Sequence, residues 1–129
     1  MSKKNVKPNF STAISDFCNM VAEAQSDYDW NCAEVNRLDR LTQDYLHQLE
    51  LNGLSYNERA KVATQLAHTR RLRRKSKDTV EILEPFIEFI ESDKGKQTMN
   101  LMREALGKTR KVEKYMETRT YRYKVLEEN

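Results

Sequence analysis

A chain of 129 residues with three glycines and two prolines fits one domain and leaves too little punctuation for an all-β fold. Charged residues make up 33% and hydrophobic residues 38%, proportions that suit long helices with a narrow apolar stripe. The net charge is +3 but unevenly spread: residues 1–50 sum to −3, residues 51–80 hold eight bases and two acids, residues 81–93 hold five acids and no base, and residues 94–129 hold ten bases and five acids.

The first nine residues read as a flexible basic arm, with Lys3, Lys4 and Lys7 but no apolar run long enough for a signal peptide or membrane span. A cytoplasmic location is expected. A single domain, 10–129, follows. From Phe10 to Leu51, Ile14, Phe17, Val21, Ala24, Tyr28, Asn31, Val35, Leu38, Thr42, Tyr45 and Leu49 recur at 3,4 spacing, which predicts a first helix over about 11–51. Asn52-Gly53 is a stop signal. Ser55 with Glu58 has capping-box spacing, so a second helix is expected over about 56–91 with a kink at Pro85. Its seam, Val62, Leu66, Thr69, Arg73, Ser76, Val80, Leu83, Ile87 and Ile90, is polar in the middle.

Ser92-Asp93-Lys94-Gly95 reads as the next break. Met99, Met102, Leu106, Val112 and Met116 then predict a third helix over about 94–117, interrupted at Gly107. The tail, 118–129, is β-branched and aromatic and reads as a short strand or extended arm. The expected fold is therefore all-α: a long antiparallel helical hairpin, coiled-coil-like, with a third C-terminal helix and an extended tail. A narrow seam buries little surface per residue, so the chain is expected to be oligomeric. Folding the hairpin at about residue 53 pairs positions whose numbers sum to roughly 105. This sets Leu38 against Leu66, Phe17 against Ile87, Ile14 against Ile90, and Asn31 against Arg73 and Arg74.

Arg70-Arg71-Leu72-Arg73-Arg74-Lys75-Ser76-Lys77 is the sharpest local feature. At 100° per residue, Arg70, Arg73, Arg74 and Lys77 share about a third of the helix circumference, and such a strip invites a phosphate or neighbouring acids. Asp27, Asp29 and Glu34 are the expected intrachain acids. Lys111 and Lys114 of the third helix are candidates to complete the site. Tyr28 is a candidate to stack on a base and Asn31 to add a polar contact; the plainer reading makes Tyr28 a seam residue and Trp30 an oligomer contact. Cys18 and Cys32 stand fourteen positions apart on one helix, about 21 Å, and cannot bridge within it. His47 and His68 have no nucleophile within a turn, metal-ligand spacing is absent, and no glycine-rich phosphate loop is present. Neither enzymatic activity nor a cofactor is expected.

Leu41-Thr42-Gln43-Asp44-Tyr45-Leu46-His47-Gln48-Leu49-Glu50-Leu51, Glu58-Arg59-Ala60-Lys61, Lys77-Asp78, Glu81-Ile82-Leu83-Glu84-Pro85, Leu106-Gly107-Lys108 and Arg110-Lys111 carry a resemblance over most of residues 27–125. The chain resembles small uncharacterised α-helical proteins encoded by phages and prophages of Gram-positive bacteria. That resemblance implies a class, the accessory antagonists of host defence, and a host bacterial cytoplasm. The leading expectation is a sponge that sequesters a phosphate-bearing (cyclic) nucleotide signal without cleaving it, using Arg70, Arg73, Arg74, Lys77, Lys111, Lys114, Tyr28 and Asn31. One alternative is an anti-CRISPR-like or other protein-binding inhibitor that presents the acidic belt Glu81, Glu84, Glu88 and Glu91. The other is a small nucleic-acid-binding regulator using the arginine strip.

Overall fold

The computed structural model describes residues 9–120 together with 125 and 126. Most of the predicted arm, and Tyr121 to Lys124 of the predicted tail, lie outside the described residues. Three helices make up the fold: α1, Ser11–Leu51; α2, Tyr56–Glu91; and α3, Asp93–Thr118. Among the described residues there is no strand, and no helix is long and apolar enough to cross a membrane.

Local chemistry explains the breaks. Gly53 takes a φ of 55° just past the C-cap Asn52 of α1, the left-handed position that favours glycine after a helix end. Ser55 caps α2, and its hydroxyl rather than its backbone amide meets the Glu58 carboxylate. That hydroxyl lies 2.9 Å from Glu58 Oε1 and accepts from the Glu58 amide at 3.3 Å. Pro85, an exposed residue, does not end α2, which continues through it.

Ser92 alone separates α2 from α3, capping the end of one and the start of the other. Its hydroxyl donates to the Phe89 carbonyl at 2.5 Å and accepts from the Gly95 amide at 3.0 Å. Gly95 is therefore not part of a break, as its sequence context suggests, but a buried residue in the first turn of α3. A Cβ there would overlap the Phe89 carbonyl group, so glycine permits the close approach of the two backbones. Nor does Gly107 interrupt α3; the helix runs through it.

α2 doubles back along α1. Arg73 Nε donates to Asp39 Oδ1 at 2.5 Å, and Cys32, Val35 and Asn36 line one recess with Lys77 and Val80. These neighbours have numbers that sum to about 112, seven more than the turn position predicts. Leu38 therefore comes level with Arg73 to Ser76 rather than Leu66, and Ile87 and Ile90 come level with residues 22–25 rather than Phe17 and Ile14. Leu38, at 1% exposure the most deeply buried large side chain, comes level with the stretch of α2 that ends in the small buried Ser76. A large residue against a small one fills that layer. Thr42 and Thr69 donate to carbonyls one turn back in their own helices, Leu38 and Gln65, at 2.8 and 2.9 Å, so the polar middle of the seam is satisfied locally.

The shift leaves α1 one heptad longer than α2 can cover. α2 ends at Glu91, level with about residue 21. Beyond that point α3 packs on α1, and the Ser11 amide donates to Glu113 Oε2 at 2.8 Å. The side of α3 bearing Gly95, Met99, Met102, Leu106, Thr109 and Glu113 is buried or half-buried.

Candidate functional site

Asp39, which the sequence does not single out, organises the arginine strip. Besides its bond from Arg73, it lies 3.7 Å from Arg70 Nη1. The acids expected in that role are used elsewhere. Glu34 is held by Arg37 at 2.6 and 3.0 Å, and those bonds keep its carboxyl below the ordinary range. Asp29 accepts from Gln25. Asp27 offers its backbone carbonyl to Asn31 at 2.7 Å, so Asn31 is satisfied within its own helix. The strip is also turned further outward than its sequence suggests. Arg70 and Arg74 side chains are 51% and 64% exposed, whereas Arg73 is 19% exposed. Arg74 reaches only the exposed Asp78 one turn away, at 3.9 Å.

Lys77 is half-buried and, among the described residues, forms no ion pair. It lines a shallow recess of about 290 Å³ with Cys32, Val35, Asn36 and Val80. Tyr28 lies one turn before Cys32. Its phenol is held above the ordinary pKa first by the Cys32 thiol, then by burial, with smaller contributions from Glu84 and Glu91. The carboxylates that act on this candidate base platform, Glu84 and Glu91, belong to the acidic belt of α2. The remaining candidates do not join the strip. Glu113, between Lys111 and Lys114, meets Ser11, and Ser11 is 28 residues from Asp39, about 42 Å along the axis of α1. Within one chain the two basic clusters form separate surfaces.

A different surface emerges at the end of α1 that α2 does not reach, on the side that α3 leaves open. Phe10, Ala13, Phe17 and Met20 follow 3,4 spacing on one side of the helix, and Phe10, Phe17 and Met20 are 50%, 37% and 45% exposed. The side of α1 bearing Ser11, Ile14, Ser15 and Cys18 is buried or half-buried. On α3, Leu101, Val112, Tyr115 and Met116 are also exposed. Phe17 had been visible as a seam residue; what the sequence could not show is that the seam outruns its partner. Among the described residues no group of acids, histidines and cysteines is placed to hold a metal ion.

Comparison of the chain with protein-family models, with curated proteins and with solved structures finds no match.

Proposed function

We propose that the protein acts by binding rather than by chemistry, as a helical inhibitor that docks on another protein through the apolar stretch of α1 left uncovered by α2. The resemblance supplies the class of target, an effector of a bacterial defence system. One observation carries the reading: Phe10, Phe17 and Met20 form an apolar strip beside the covered side of α1 and stay 50%, 37% and 45% exposed. Contiguous apolar side chains on a surface this rich in charge are the usual mark of a protein-binding site, with aromatic anchors at its centre.

The test is a plating assay in Gram-positive hosts that each carry one defence system and express the protein or a variant. The wild type is expected to raise phage plating at least tenfold in one host, Phe17→Asp with Met20→Asp to lose the effect, and Arg70→Gln with Arg74→Gln to keep it. Rescue by the Phe17 and Met20 variant equal to wild type would overturn the assigned surface. Absence of rescue in every host would overturn the anti-defence assignment.

A second reading, nucleotide sequestration, draws support from Lys77, a half-buried ammonium without an ion-pair partner beside a recess. Its volume lies at the lower limit for small-molecule sites, so a mononucleotide phosphate is a better fit than a larger ligand. Calorimetry with cyclic mono- and dinucleotides tests it. Binding that is lost in Arg73→Gln with Arg74→Gln, while the unliganded protein keeps its melting temperature, would make this the primary function.

A further inference from the structure

One side of α2 carries a second heptad-spaced series beside the seam, of which the hairpin engages only Arg70, 3.7 Å from Asp39, and Lys77, in the recess against α1. Arg70, Arg74, Lys77, Glu81, Glu84, Glu88 and Glu91 follow at intervals of 4, 3, 4, 3, 4 and 3, so they form one stripe about 31 Å long. All are exposed except the half-buried Lys77. The signs are segregated: three bases toward the start of the helix, four acids toward its end. The neighbouring part of α1 has the same sign as the acidic end. Residues 11–33 contain four acids and no Lys, Arg or His, and the register brings Asp29 level with Glu81 and Glu84 on the side of α1 that carries Asp39.

A stripe with this order is complementary to itself in one orientation only. We propose that the protein forms a two-fold symmetric dimer in which the α2 stripes of two copies pair antiparallel. Arg70 faces Glu91 of the second copy, Arg74 faces Glu88 and Lys77 faces Glu84, and the axis passes near Glu81, where the two copies of that exposed carboxylate make the one like-charge contact of the arrangement. Each contact occurs twice, as a two-fold interface requires. A parallel arrangement sets arginine on arginine and glutamate on glutamate. A slip of one heptad removes pairs from both ends. The charges thus choose orientation and register, and the recess beside Lys77, lined by Cys32, Val35, Asn36 and Val80, lies at the edge of this interface. This surface is separate from the Phe10 to Met20 stretch, so dimerisation and target binding are independent.

The experiment is sedimentation equilibrium of the full chain at 50 mM and 500 mM NaCl. Wild type is expected to be dimeric at low salt and to dissociate at high salt. Arg70→Glu with Arg74→Glu, and separately Glu88→Arg with Glu91→Arg, are expected to weaken the dimer by about 100-fold or more, since like charges then face each other four times. An equimolar mixture of those two variants, and a single chain carrying all four changes, are both expected to regain the dimer. Restoration excludes misfolding as the cause of the loss. A wild type that is monomeric at 100 μM in 50 mM NaCl, or double variants that dimerise as well as wild type, would overturn the proposal. The Phe17 and Met20 variant is expected to remain dimeric, which keeps this proposal's failure distinct from that of the functional one.

Discussion

Glu113 caps the helix that begins at Ser11, across 102 positions of sequence. α1 starts without a side-chain cap from its own N-cap residue Phe10 and without an acid in its first turn; the Thr12 and Ala13 amides donate to the Asn9 and Phe10 carbonyls at 2.9 Å, which leaves the Ser11 amide to find an acceptor elsewhere. A carboxylate from α3 takes that place, where a negative charge is also favoured by the helix dipole. One contact thus closes the helix end and fixes α3 against α1.

The Ser11 bonds, followed by Arg110, hold the Glu113 carboxyl below its ordinary 4.5. A depressed folded pKa means that the stabilising contribution is present above about pH 4.5 and is lost as pH falls through the lower folded value. The Ser11 amide resonance is expected to titrate with Glu113, with a midpoint below 4.5. Glu113→Ala is expected to abolish that titration and to speed hydrogen exchange at the start of α1. A midpoint at or above 4.5 would contradict the assignment.

Asp39→Ala leaves Arg73, 19% exposed, without its carboxylate. Because Asp39 is 46% exposed, solvent screening reduces the effect, and a loss of about 1 kcal/mol is expected. In a double-mutant cycle by urea denaturation with Arg73→Gln, most of that loss is expected as coupling between the two residues. Additive losses would show that the pair contributes no stability of its own.

The two glycines of α3 are expected to respond in opposite directions. Gly95→Ala drives a methyl group into the Phe89 carbonyl and is expected to cost about 2 kcal/mol or more by thermal unfolding. Gly107→Ala meets nothing within 4 Å and gains helix propensity, raising stability by about 0.5–1 kcal/mol. Equal effects would mean that the α2–α3 junction is looser than its backbone contact implies.

The helices themselves were legible because their signals are local: 3,4 periodicity, the Ser55 to Glu58 box and the left-handed Gly53. The register was not. A heptad seam looks the same after a slip of seven residues, so Leu38 finds a seam position whether it faces Leu66 or the stretch near Ser76. Only a long-range contact such as Arg73 to Asp39 separates the two. The same limit hid the exposed strip proposed as a docking surface, since Phe17 is an ordinary seam residue in one register and lies beyond the reach of α2 in the other. Gly95 misled for a related reason. Its role depends on a neighbouring backbone, which no window of sequence contains.

The exposed heptad at the start of α1 arises from a difference in length, 41 residues in α1 against 36 in α2, together with the offset between them. It behaves like the free end of a zip. Seven residues with an apolar seam inserted before Ser92 would carry the closure on to Phe17, displace α3 and its bond to Ser11, and remove the docking surface without altering any residue in it. Conversely, the side chains at that surface can vary in shape while the surface itself persists, because helix length, not their identity, keeps it open.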